Sequence, residues 1–361
     1  MQGKGEATLI IVDGHLDLAM NALTLNRDLR LSAHQMRERE HGLTSKGIGR
    51  GTVGFPDMRA GKVALSLATV HARVAWPGSG ITGCRTTEIA YARAKGELAY
   101  YRLLEASGAV RLVRDRADLE RHLADWAQPV QGEPPLGFVL SMEGADPIVS
   151  PEQVPEWWDD GLRVVSLSHY GFSAYAHGTD TIGGLRGRGR ELLRAMQEAG
   201  MVLDVSHLAY RAFVEALDSF EGPVLASHNN CRALVPGPRQ FADRQVHMLI
   251  ERGGVIGAAL DAWMLFPGWV RGQTSPRVVS LEDFVDHIDH VCQLAGNARH
   301  AAIGSDLDGG YGTEQCPHDL NTIADLQKVP AILRGRGYSE DDIRLIMHGN
   351  WIRLLRGALP G

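Results

Sequence analysis

Six residues of this chain set a metal-ligating or proton-transferring side chain at the end of an apolar run: His15, Asp17, Glu143, His207, His228 and Asp306. Apart from Asp17, each closely follows a stretch that reads as a buried strand: LIIVDGH, GFVLSME, MVLDVSH, PVLASH and AAIGSD. Imidazole nitrogens and carboxylate oxygens are the donors that hydrolytic metal ions take. Strand ends that lead into loops are where barrel enzymes gather their catalytic groups. The pattern points to a metal-dependent hydrolase.

Each piece suggests its own chemistry. His15 and Asp17 are two apart at a strand end, so both side chains can face one metal. A carboxylate at Glu143 can bridge two cations, one on each oxygen. His207 and His228 close consecutive strand candidates and would sit on adjacent strands. Asp306, in IGSDLDGG, can take a proton from a metal-bound water and pass it to a leaving amine. Asp308 competes for that role, although Gly309 and Gly310 suggest that the chain is already turning there. His169, after RVVSLS, suits a donor to a developing oxyanion. Arg239, in VPGPRQF, suits a carboxylate clamp. Tyr170, Tyr175 and His177 either line a pocket or pack, and Arg186, Arg188 and Arg190 read as a solvated loop and helix start. Structural alternatives stay open for each: a helix-capping aspartate, a turn-capping glutamate, a pair of satisfied core histidines.

The elements that must position these groups follow from hydrophobic pattern. Strand-like runs recur at 8–13, 62–70, 136–142, 163–168, 201–206, 223–227, 254–260 and 301–305, with helical patterns between most of them. Eight strands alternating with helices predict an α/β chain of the (β/α)8 TIM-barrel type, because a parallel strand needs a crossover helix. A doubly wound sheet is the runner-up, but DGHLDLAMN after the first strand lacks the Gly-rich phosphate turn such a sheet would show. The stretches 24–61 and 262–280 exceed ordinary loops and are expected at the rim of a site. The last helix, SEDDIRLIMHGNWIRLLRGAL, opens on a plausible Ser339 N-cap. No composition break marks a second domain, so residues 1–361 are expected to form one barrel.

Bulk composition removes several classes. The 361 residues carry a formal net charge of −6, with 44% hydrophobic and 22% charged residues, as in an ordinary globular enzyme. There is no basic footprint for nucleic acid. Cys84, Cys231, Cys292 and Cys316 are far apart and form no C-x-x-C pair, which disfavours a disulfide framework or a cysteine zinc site. No run approaches the ~18 apolar residues of a membrane span, and the N-terminal apolar run is too short for a signal peptide. A cytoplasmic protein with no membrane partner is expected, and a homodimer is the commonest assembly for such chains.

Taken together, the stretches DGHLDL, SMEGAD, SLSHYGFSAYA, GMVLDVSHL, ASHNNCRAL with PRQ, and GSDLDGG resemble the membrane dipeptidase (renal dipeptidase-like) family of zinc metallopeptidases. The resemblance runs from VDGHLDLAMN to GNWIRLLRGAL. It implies a distorted (β/α)8 barrel of the metal-dependent amidohydrolase type with two zinc ions. His15 and Asp17 would bind one zinc, His207 and His228 the other, with Glu143 bridging. Asp306 would be the general acid/base, His169 would steady the carbonyl oxygen, and Arg239 would hold the C-terminal carboxylate of a dipeptide with free termini. The sequence departs from the family where SHSN reads SHNN and where the phenylalanine of GSDFDG is Leu307. It also shows neither the secretion signal and lipid-anchor tail of the animal enzymes nor their disulfide cysteines. Two rival readings remain. One is another metal-dependent amidohydrolase, acting on an N-acyl amino acid, a cyclic amide or a β-lactam-like bond. The other is a silent barrel that binds metal or peptide without turnover.

Overall fold

The computed structural model describes residues 9–76, 83–127 and 132–361. Its strands are Ile11–Leu16 (β1), Val63–Val70 (β2), Val110–Leu112 (β3), Leu136–Met142 (β4), Leu162–Ser166 (β5), Val202–Asp204 (β6), Val224–Ala226 (β7), Val255–Ala258 (β8) and Ala301–Ile303 (β9). All pairings between them are parallel. Eight strands close a ring in the order β1-β2-β4-β5-β6-β7-β8-β9, with β9 pairing back onto β1. The expected (β/α)8 barrel is therefore present. All eight expected runs are ring strands, although residue 8, the start of the first, lies outside the described residues.

The ninth strand is a departure. β3 pairs with the first residues of β4, from Val110↔Leu136 to Leu112↔Phe138, while β5 pairs with its last, Leu140 to Met142. β2 runs along β4 from Leu65↔Gly137 to Val70↔Met142, so the ring bypasses β3. The register shifts within β1–β2 and β4–β5 add to this distortion.

The ring strands are buried throughout, as strands covered on both faces must be. One apolar cluster joins Val12, Leu65, Val139, Val164, Val202, Leu225, Val255 and Ala302 to Trp351, Ile352 and Leu355 of the C-terminal helix. That helix has Ser339 as its N-cap, in a capping box with Asp342. It is not uniform, because Leu345–Gly349 widens into a π segment. The widened turn is followed by Asn350, which donates to the Ala298 and Ala301 carbonyls, and Trp351, which donates to the Ile303 carbonyl. At the opposite end, where the strands' C-termini open, Thr24 and Lys46 of the 24–61 stretch and Trp263 and Met264 of the 262–280 stretch line a cavity. Among the described residues no helix is long and apolar enough to cross a membrane.

Candidate metal centre

Every ring strand sends a polar side chain to the same end of the barrel. β1 gives His15 and, just past its end, Asp17. His71 follows β2, Glu143 follows β4, and His169, His207, His228, Asp261 and Asp306 lie within three residues of the ends of β5 to β9. Glu143 is the hub. Its Oε1 lies 3.2 Å from His207 Nε2, 3.4 Å from His228 Nε2, 3.5 Å from His169 Nε2 and 3.7 Å from His15 Nε2. Its Oε2 lies 2.7 Å from His71 Nδ1. His15 Nε2 is also 3.6 Å from Asp17 and 3.9 Å from Asp306.

The hydrogen bonds beneath these groups decide which ring nitrogens are free. Ser227 Oγ donates to Asp204, so it accepts from His228 Nδ1 at 2.8 Å. Thr179 Oγ1 donates to the His207 carbonyl, so it accepts from His207 Nδ1 at 3.0 Å. Both Nδ1 atoms therefore carry the proton and both Nε2 atoms present lone pairs. Those two Nε2 atoms face each other at 3.0 Å, beside a carboxylate oxygen. Burial and nearby positive charge push both imidazoles well below their ordinary range, so they stay neutral. Lone pairs aimed at one another need a cation between them.

His15 gives the same message from the other side. Burial works against its charge, yet Glu143, Asp17 and Asp306 hold it protonated up to about 10. Its Nε2 has no hydrogen-bond partner. Asp17 occupies the N-cap position of helix Leu18–Thr24 but makes no cap bond there. It turns instead to Thr69 Oγ1 and His15, which outweigh its burial and hold it below the usual carboxylate range. Two ligands about 2.0–2.1 Å from one tetrahedral ion stand about 3.4 Å apart, and the separations around Glu143 bracket that value. The residues thus fit divalent metal, held in support by Asp204, Ser227 and Thr179 as metal-site histidines require.

A cavity of about 510 Å3 opens above the hub, lined by Asp17, His71, Glu143, His169, His207 and Asp306 together with Arg239, Tyr170 and Asp261. His15 and His228 lie buried beneath it. Arg73 donates to His169 Nδ1, so the neutral His169 ring carries its proton on Nε2, toward Glu143 and the cavity. Arg239 is buried, donating to Asn229 Oδ1 and to the His228 carbonyl at 2.7 Å. Asn229 is the residue that breaks the SHSN pattern, and it holds the arginine. Leu307 sits in the core, so that second departure does not reach the cavity.

The two aspartates of IGSDLDGG separate cleanly. Asp306 faces the cavity, and burial, with Asp17 and Glu143 adding to it against His15, raises its carboxyl well above the usual range. Asp308 accepts from Thr52 N and Oγ1, both at 2.7 Å, and from Val53 N, and so ties down the 24–61 stretch. His207, Asp306 and Asp308 all adopt left-handed φ, of 66°, 56° and 61°, a conformation that costs a non-glycine residue energy, so backbone strain marks this turn as a whole and does not separate the two aspartates. Tyr175 donates its hydroxyl to the Ile148 carbonyl and His177 bonds Thr181, and neither lines the cavity. Arg188 and Arg190 engage surface carboxylates, and Arg186 bonds the Ser173 carbonyl.

His71 and Asp261 escaped the sequence reading. Both carry the signal used for the others, because VALSLATVH and VIGAALD are apolar runs ending in a ligand type. Asp261 is held by Trp263 Nε1 at 2.7 Å and Gln315 Nε2 at 2.8 Å, and burial raises it to about 6. All four cysteines are buried and free.

The sequence model of the membrane dipeptidase family, peptidase family M19, matches residues 6–359. The dipeptidase tcpJ of Claviceps purpurea (strain 20.1) is 32% identical over 203 residues, covering 54% of this chain and 44% of that protein. The chain thus spans about half the length of that curated relative. The crystal structure of dipeptidase AC, a metallopeptidase of family M19, superposes with a TM-score of 0.80 at 25% identity, over 98% of this chain and 100% of that one. A metallopeptidase from Rhodobacter sphaeroides, solved with a phosphinate mimic of the dipeptide L-Ala-D-Ala, gives a TM-score of 0.79 at 24% identity over the same shares. With the ring of strand-end histidines and carboxylates, the match over residues 6–359 places the chain in the membrane dipeptidase family, peptidase family M19.

Proposed function

We infer that the chain is a metal-dependent dipeptidase that hydrolyses dipeptides with free termini. The observation that carries this is the pair of opposed His207 and His228 lone pairs at Glu143, beside an acid, a donor and a clamp in one cavity. His15, Asp17 and Glu143 would hold one zinc ion, and Glu143, His207 and His228 the other. When bound, such ions polarise a carbonyl and lower the pKa of water from about 15.7 towards ~7.

The chain's own groups do the rest. His169, with its proton fixed on Nε2 by Arg73, donates to the oxygen of the scissile carbonyl as negative charge develops there. Asp306 accepts a proton from the attacking water and returns it to the departing amine. Arg239, anchored by Asn229, presents its remaining N–H groups to the substrate carboxylate, and the cavity's acids, Asp17 and Asp261, face the ammonium end. A clamp at one end and acids at the other fit a substrate two residues long, which favours a dipeptide over an N-acyl or cyclic amide.

The test is a panel of L-Xaa-L-Xaa and L-Xaa-D-Xaa dipeptides with zinc-loaded protein, with metal content assayed alongside. Turnover with about two metal ions per chain is the expected result. Two bound metals with no dipeptide cleaved, but an N-acyl amino acid or lactam hydrolysed, would move the function to another amide.

A further inference from the structure

We propose that His71 is an additional metal ligand, on the Oε2 side of Glu143, beyond the five ligand residues the family resemblance supplies. The inference rests on the metal-dependent reading above and concerns one residue of this chain. His71 Nδ1 is shielded from solvent and lies 2.7 Å from Glu143 Oε2, an ion-pair contact that falls outside hydrogen-bond geometry. A buried ring nitrogen and a carboxylate oxygen this close without a well-aligned hydrogen bond are uncommon. A cation shared with Oε2 would satisfy that nitrogen.

The two oxygens of Glu143 see different surroundings. Oε1 faces His15, His169, His207 and His228, whereas Oε2 meets His71. Ligand atoms of His71, Glu143 and His169 also lie within 4.8 Å of one another, which makes His169 a rival third donor. Arg73 removes it. A guanidinium has no acceptor, so its bond to His169 Nδ1 leaves the His169 proton on Nε2, the nitrogen that faces Glu143. A protonated ring nitrogen cannot bind a metal. His71 and Arg73 are two apart just after β2, and one strand exit thus supplies both a ligand and the residue that keeps His169 a donor.

Anomalous diffraction from crystals of the zinc-loaded protein tests this directly. A metal peak about 2.0–2.1 Å from His71 Nδ1 is expected. Two metal peaks with neither within about 3 Å of that nitrogen would overturn the proposal while leaving the dipeptidase reading intact. No bound metal at all would overturn both.

Chelator competition supplies a second readout. His71→Ala should weaken one of the two ions by at least ~10-fold. His71→Asp should keep it, because an aspartate oxygen falls close to the position of Nδ1. Unchanged affinity for both ions in His71→Ala would also contradict the assignment, and diffraction from the unmodified protein decides the matter if that variant does not fold.

Discussion

Asp306 lies 3.9 Å from His15 Nε2 and opens onto the cavity, whereas Asp308, two residues on, is bonded on both oxygens to residues of the 24–61 stretch. Asp306→Asn should therefore keep the metals and lose about 10²–10⁴-fold in kcat, the usual contribution of proton transfer. Wild-type turnover in that variant would remove Asp306 from the reaction. Arg239→Ala should raise KM for dipeptides with a free carboxylate and leave C-terminally amidated ones little changed. Equal losses on both substrates would argue against a clamp. The cavity-facing side chains were largely legible, because each ends an apolar run and the barrel rule says where such ends meet. What separates Asp306 from Asp308 was legible only through the turn that Gly309 and Gly310 signal, since the partner Thr52 of Asp308 lies 256 positions away in sequence. His71 carried the same signal as the others but lacked a second motif residue to draw attention to it.

At the scale of elements, three strands converge on one carbonyl. An added Cβ at Gly304 would lie 1.8 Å from the Ser227 oxygen, at Gly257 2.2 Å from it, and at Gly14 2.5 Å from it. Only glycine permits this approach, which brings β1, β8 and β9 up to Ser227, the residue just before His228. Gly304→Ala should destabilise the protein by about 1–3 kcal/mol, as overpacking does, and lower Tm in thermal unfolding of the metal-free protein. An unchanged Tm would show that the strands have room to part. Strand positions were readable from hydrophobic runs of four or more residues. β3 was not, because VRL is three residues with a central arginine set between two helices. The π segment was invisible too, since its helical periodicity continues through Leu345–Gly349 and only the anchoring of Asn350 and Trp351 reveals it.

For the whole molecule, stability should fall in acid through buried histidines away from the metal centre. His122, on helix Arg116–Ala127, is fully buried and donates Nε2–H to the Ala64 carbonyl at 2.8 Å. Burial pushes its pKa from the ordinary 6.5 down to about 4. The unfolded chain therefore binds that proton first. The stability at stake is fully present above pH 6.5 and is lost as pH falls from 6.5 towards 4, amounting to about 3 kcal/mol by pH 4. His122→Asn should flatten this part of the profile in urea unfolding between pH 7 and 4. Identical pH dependence in both proteins would mean that another group sets acid lability. Barrel closure itself was legible as a count of eight runs. The bypass of β3 was not, because it depends on which strand β4 chooses over its full length.

The most direct measurement is a titration of metal-free protein with zinc, following bound metal and hydrolysis of one good dipeptide together. Activity that rises with metal and levels off near about two equivalents is the expected result. Full activity without metal, or saturation with metal and no dipeptide cleaved, would contradict the assignment of this barrel as a metal-dependent dipeptidase.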